Sequence, residues 1–181
     1  MRLKEKYQKQ IMPEMKEKFG FKNEMLIPRL TKVVLNVGFG HHVKEKEFMT
    51  SVENGLTKIA GQKVVLTAAK KSISAFKIRD GQLIGAKVTL RGPRMYDFTD
   101  KLINIVFPRV RDFRGISEKS VDSTGNLTVG FKDHSAFPEI HAEEIDHIFG
   151  LEVCLSTNTN SREKGLALFQ AFGFPFKKDS K

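Results

Sequence analysis

The sequence predicts an α+β fold, a largely antiparallel sheet with helices packed on one face and a long basic hairpin loop. Three observations carry that expectation. Stretches of two-residue alternation are mixed with stretches of helical period, without the regular strand–helix–strand repetition of a parallel sheet. A polar, basic connection from Lys70 to Gln82 separates two strand-like runs, at 63–67 and 83–91. The 181 residues are 40% apolar, enough for an ordinary core. No repeat or flexible linker divides the chain, which reads as a single domain, 1–181. Within it lie an N-terminal helical segment (1–30), a sheet-and-helix core (31–173) and a basic tail (174–181).

Each element has its own signal. Tyr7, Ile11, Met15 and Phe19 are four apart, a helical face, and Pro13 should kink or start that helix. From Leu30 to Phe39 a strand is expected, with Val33, Leu35 and Val37 on one face and Lys32, Val34 and Asn36 on the other. Phe48, Val52, Leu56 and Ile59 predict a helix over 45–60, ended by Gly61. In the run 83–91, Lys87, Thr89 and Arg91 alternate with Ala86, Val88 and Leu90. Gly92-Pro93 opens a helix that buries Met95, Phe98, Leu102 and Ile105 and is closed by Pro108. A turn at 123–126 feeds a strand through Leu127, Val129 and Phe131, and Leu151, Val153 and Leu155 mark another. Asn160 with Glu163 resembles a capping box for a last helix, which Gly173 and Pro175 end.

The formal net charge is +10, which favours a polyanionic partner, nucleic acid or an anionic membrane. The longest apolar run is four residues, Leu166 to Phe169, against the roughly 18 of a spanning helix, so no membrane role is expected. The basic N-terminus lacks the apolar stretch of a secretory signal, and the lone Cys154 can form no internal disulfide, so the chain reads as cytosolic.

Charge is unevenly placed. Residues 63–94 hold eight Lys and Arg against Asp80 alone, whereas 133–152 hold six acids and no Lys or Arg. A basic sector on strands and a long loop suits phosphate contact from a rigid platform, and six neutralised phosphates would give a log–log salt slope of about −4 to −5. Phe76, inside the loop, could stack on a base or anchor the loop to the core. Gly81, Gly85 and Gly92 could admit a close phosphate or serve as turn and bulge residues.

Catalytic chemistry is not legible. Gly38-Phe39-Gly40 lacks the third glycine of a dinucleotide loop, and no phosphate-loop lysine motif or nucleophile elbow occurs. His134, His141 and His147, among Glu143, Glu144 and Asp146, do not have zinc-site spacing. Cys154, between Val153 and Leu155, reads as a small core residue. No enzyme, cofactor, metal or small-molecule substrate is expected. The rivals are a metal-dependent hydrolase built on the three histidines and a free RNA chaperone.

Longer patterns are more specific. The segment Leu56-x-x-Ile59-Ala60-Gly61-Gln62-x-x-Val65-x-Thr67-x-Ala69-Lys70-x-Ser72 resembles the signature of the bacterial large-subunit ribosomal protein five family, the L-five family that binds 5S rRNA. So do Val33 to Gly38, Val88 to Gly92, Arg94-Met95-Tyr96-x-Phe98, Leu102 to Asn104, Pro108 to Gly115, Phe137 to Ile140 and Gly173 to Phe176. The likeness runs through nearly the whole chain in order. Two places depart from it: Pro93, where a polar residue is expected, and Asp133-His134-Ser135-Ala136, where a more apolar stretch is expected.

The resemblance implies a structural protein of the large ribosomal subunit, at its central protuberance, binding 5S rRNA and docking on large-subunit rRNA. It implies 5S rRNA contacts from Asn36, Gln62 and Thr89. Lys63, Lys87 and Arg91 would hold phosphates beside them. It places the loop residues Lys70, Lys71, Phe76, Lys77 and Arg79 near P-site tRNA. Arg109, Arg111, Asp112 and Arg114 would lie near the intersubunit bridge to small-subunit ribosomal protein thirteen. The acidic stretch would face a basic protein neighbour.

Overall fold

The structure, a computed structural model, describes residues 2–42, 45–140 and 147–177. It is an α+β protein with a five-stranded antiparallel sheet and packed helices. The strands are β1 (Leu30–Gly38), β2 (Val65–Ala68), β3 (Leu83–Leu90), β4 (Leu127–Phe131) and β5 (Leu151–Thr157), in the spatial order β2-β3-β1-β5-β4. Among the described residues no helix is long and apolar enough to cross a membrane.

The chain packs into two compact units. One comprises the residues up to Val33, Leu90–Val129 and those from Cys154 onward; the other comprises Val34–Thr89 and Gly130–Val153. The longer helices of the first unit begin with α1, which runs through Leu3–Lys6, a π stretch at Tyr7–Ile11, and Met12–Phe19. Its Tyr7 ring stacks on Phe172 of the C-terminal helix, with centroids 5.9 Å apart. A second long helix runs through Gly92–Lys101, a π stretch at Leu102–Val106, and Phe107–Arg109. The C-terminal helix is Arg162–Phe172. The other unit holds the helix Lys46–Ala60, whose Phe48, Val52, Leu56 and Ile59 are buried and which Gly61 ends in the left-handed region, as its sequence predicts.

Pro13 starts the α-helical stretch Met12–Phe19, and both it and Pro108 follow a wide turn. Met12 N–H bonds to the carbonyl of Tyr7, and Phe107 N–H to that of Leu102, five residues back in each case. Each donor directly precedes a proline, Pro13 or Pro108. Proline removes one hydrogen bond and presses on the carbonyl four residues back, and a wider turn just before it relieves both demands. Pro108 therefore lies within the last turn and does not close the helix ahead of itself. The wide turn also advances the buried face. Val106 is buried where Ile105 was expected, and Ile105 is 43% exposed.

Two other expectations are corrected. Ser161, not Asn160, begins the C-terminal helix, and no side chain caps it. Its first turn packs closely on the preceding turn, and a Cβ on Gly165 would lie 2.4 Å from the carbonyl oxygen of Gly125. Cys154 is half-buried, not core. Alternation turns it away from the buried Val153 and Leu155, and it accepts a hydrogen bond from Thr128 Oγ1 at 3.7 Å.

Candidate nucleic-acid interface

The second unit builds a polar sheet face from strand alternation. On β1, Leu35 and Val37 are fully buried, so Asn36 points outward and is exposed. On β3, Ala86 and Val88 are buried, which turns Lys87 and Thr89 outward, exposed and half-buried respectively. Strand β2 pairs antiparallel with β3, placing Val65 opposite Lys87 and Thr67 opposite Gly85. Val64 is buried, and Val65 is 58% exposed beside the exposed Lys63.

Side chains and backbone lock this face. Gln62, half-buried at the entry to β2, donates from Nε2 to the carbonyl of Thr89 at 3.2 Å. Its amide therefore holds the end of β3, and its place in the interface is partly structural. Phe39 N–H donates to the carbonyl of Ile84 at 2.9 Å, extending the pairing beyond β1. Gly85 sits where a Cβ would lie 2.9 Å from Thr67 Oγ1 and 3.0 Å from the carbonyl oxygen of Val37. Among the basic-segment glycines it is the one that close backbone packing requires, whereas Gly81 and Gly92 adopt positive φ.

The connection between β2 and β3 is itself partly structured. Ile73 and Ile78 pair as an isolated antiparallel bridge with N···O distances of 2.9 and 3.2 Å. Across the tip, Ser74–Phe76 form one 3₁₀ turn, and Lys77 adopts φ +54°, a left-handed turn residue. Below the bridge, Asp80 N–H donates to Ser72 Oγ at 2.9 Å and Arg79 N–H to Gln82 Oε1 at 3.0 Å. Every residue from Lys70 to Lys77 is exposed, and so is Arg79. Phe76 is 65% exposed, so it does not anchor the tip to a core. Arg91 is exposed just after β3 and belongs to the first unit.

In the first unit, Arg109, Arg111, Asp112 and Arg114 are all exposed on one short segment. Beneath it, the half-buried Phe113 stacks on buried Phe107, centroids 5.2 Å apart. Ile116 N–H bonds to the carbonyl of Pro175 at 2.7 Å and its carbonyl accepts from Lys177 N–H at 2.9 Å. Asp112 adopts φ +52°, and Gly115, at φ +94°, leaves no room for a Cβ beside the Lys177 backbone. The cationic loop is thereby pinned at both ends.

His134 is a buried, ring-stacked side chain. It is 3% exposed, stacked on Phe149 at 3.9 Å between ring centroids, with Nδ1 accepting from Phe149 N–H at 3.3 Å. Burial holds its pKa below the ordinary histidine value. His141, Glu143, Glu144 and Asp146 lie outside the described residues, and among the described residues no group of three or more ligating side chains could hold a metal. The polar stretch that departs from the family pattern is a local turn, in which Asp133 Oδ1 accepts from Ser135 N–H at 3.0 Å. Pro93 falls within the first turn of its helix, where proline fits.

Sequence reasoning missed Val65, Thr67 and the structural use of Gln62. Val64-Val65-Leu66 is apolar throughout, so its inward parity is not visible before pairing with β3 is known.

Two family models match the chain: one described as Ribosomal protein L5 covers residues 23–79, and one for the C-terminus of the same ribosomal family covers residues 83–176. The chain is also similar to the curated protein "Large ribosomal subunit protein uL5" of Francisella tularensis subsp. novicida, F. tularensis subsp. mediasiatica and Francisella philomiragia. Each is 51% identical over 176 residues, spanning 97% of this chain and 98% of the relative.

Proposed function

Because the chain belongs to the ribosomal protein L5 family, structural and non-enzymatic proteins of the large ribosomal subunit, we propose that it binds 5S rRNA and fastens it to the large-subunit rRNA in the central protuberance. The observation that carries this reading is the polar sheet face. Asn36 and Thr89 project from paired strands whose opposite sides are buried, with Lys63 and Lys87 beside them. Neutral polar groups at fixed spacing can recognise 2′-hydroxyls and base edges, and the flanking lysines supply sequence-independent attraction to phosphate. Backbone hydrogen bonding and the Gln62–Thr89 link make the spacing rigid, which lowers the ordering cost of binding.

Titration of the full chain with purified 5S rRNA at fixed salt tests the assignment. Asn36→Ala and Thr89→Ala should each weaken binding by about 1–2 kcal/mol, the range for a lost interfacial hydrogen bond. Unchanged affinity in the double variant would remove the sheet face from the interface. Co-sedimentation with large subunits in high salt separates a resident ribosomal protein from a free RNA chaperone.

A second contact is favoured by the exposed tip. Lys70, Lys71, Phe76, Lys77 and Arg79 would meet P-site tRNA, combining charge with one aromatic ring. The pinned segment with Arg109, Arg111, Asp112 and Arg114 would lie at the intersubunit bridge to small-subunit ribosomal protein thirteen. Lys77→Ala with Arg79→Ala should spare 5S rRNA affinity and weaken tRNA binding by assembled ribosomes. An equal loss for 5S rRNA would assign the tip to the first interface.

A further inference from the structure

The first unit holds a cleft that the proposed 5S rRNA, tRNA and bridge contacts do not use. It measures about 270 Å³ and is lined by Lys4 and Tyr7 of helix α1, by Met25 and Arg29 of the segment ahead of β1, and by Tyr96. Two rings form its aromatic wall, Tyr7 and Tyr96, with centroids 6.2 Å apart and planes inclined at 35°. Its thioether floor is open to solvent, with Met25 72% exposed. An exposed thioether beside the buried ring of Tyr7 and the half-buried ring of Tyr96 is costly to leave in water, and it suits a flat apolar surface.

The cleft is also built to hold its shape. Tyr7 Oη donates to the carbonyl of Pro28 at 3.0 Å. Arg29 N–H donates to Asn158 Oδ1 at 2.7 Å, and Asn158 returns its own N–H to the carbonyl of Arg29 at 3.1 Å. With its backbone clamped on both sides, Arg29 keeps an exposed side chain at the cleft. Its charge is felt by both phenols. Burial pushes the Tyr7 hydroxyl up to about 12, with Tyr96 adding to the rise and Arg29 opposing it. Burial likewise raises Tyr96, again against Arg29.

Charge identifies the occupant. Glu24 also lines the cleft but is engaged by Lys16 at 3.3 Å, while the salt bridges among the described residues include neither Lys4 nor Arg29. The local balance is therefore cationic, on a chain of net charge +10. A cationic rim around an aromatic and thioether floor, with room for one flat ring, matches a single nucleotide: phosphate on Lys4 and Arg29, base against Tyr96 and Met25. We propose that this cleft captures one unstacked nucleotide of single-stranded RNA, as a contact separate from the sheet face.

The test uses the full chain and a fluorescein-labelled oligouridylate hexamer, read by anisotropy, together with a 4-thiouridine hexamer for crosslinking. Met25 and Arg29 are exposed, so M25A and R29A should fold normally. Each should weaken hexamer binding by about fivefold to tenfold, the loss of one stacked base or its phosphate contact. Tyr96→Phe should retain affinity and Tyr96→Ala should lose it, and crosslinks should map to Tyr96 or Met25. The chain has two tyrosines and no tryptophan, so intrinsic emission comes only from this cleft and should be quenched by the hexamer. Unchanged affinity in M25A and R29A, or crosslinks confined to the tip around Phe76, would overturn the proposal and leave the cleft to an acidic peptide. The double variant N36A/T89A should crosslink at the cleft as the unmodified chain does, which keeps this outcome distinct from that of the 5S rRNA assignment.

Discussion

The polar sheet face and the tip that joins β2 to β3 belong to the same unit and the same basic segment of sequence, yet they are made differently. On the sheet face every candidate position is dictated by the strand beneath it: Asn36 by buried Leu35 and Val37, Lys87 and Thr89 by buried Ala86 and Val88. At the tip nothing from Lys70 to Lys77 is buried, and shape rests on one isolated bridge and a few side-chain hydrogen bonds. Cation density is higher where packing is weaker. Specific recognition needs groups held at fixed spacing, which packing supplies, whereas attraction to a polyanion tolerates mobility. The two regions should therefore respond differently to mutation, in stability and in salt dependence.

The most severe way to break the comparison is Gly85→Val. The added Cβ meets Thr67 Oγ1 and the Val37 carbonyl within 3.0 Å, so urea unfolding should show a loss of about 1–3 kcal/mol, as overpacking does. A change below about 0.5 kcal/mol would mean that the face is far more compliant than its geometry implies. The Asn36 and Thr89 alanine variants come next. Their loss of about 1–2 kcal/mol each in 5S rRNA affinity should leave the unfolding midpoint nearly unchanged, since both side chains project away from the core. A matching fall in stability would show that these residues support the fold and not the interface.

Removing the tip cations, Lys77→Ala with Arg79→Ala, should flatten the log–log salt slope for single-stranded RNA by about 1.5 while leaving unfolding unaltered. An unchanged slope would mean the tip holds no phosphate.

His134 provides a pH test within the same unit. Burial lowers its folded pKa, so its contribution to stability is complete above the ordinary histidine pKa and is lost as pH falls through the folded value. Urea midpoints should decline as pH falls below about 6.5, and His134→Gln should flatten that decline. The smallest effect is expected for Phe76→Ala, within about 0.5 kcal/mol in stability, because its ring is 65% exposed.

Much of this was legible in the sequence because periodicity survives folding. Period two placed Asn36, Lys87 and Thr89 opposite buried residues, and the spacing of Phe48, Val52, Leu56 and Ile59, with Gly61 behind them, set the helix at Lys46–Ala60. Where regular geometry gives way, periodicity misleads. The π turn before Pro108 moved burial from Ile105 to Val106, and the last helix begins at Ser161 with no side-chain cap where Asn160 was expected.

What the sequence determined by itself was the antiparallel α+β class, the family, and the clustering of cations at 63–94, because these follow from local pattern and composition. Only the tertiary structure decided that Val65 faces out, that Gln62 holds the end of β3, that Gly85 is a packing glycine, and that Tyr7, Met25, Arg29 and Tyr96 share one cleft. Those facts depend on which strands pair and which distant segments meet. A linear pattern of hydrophobicity does not encode such long-range pairings, because many arrangements bury the same apolar faces equally well.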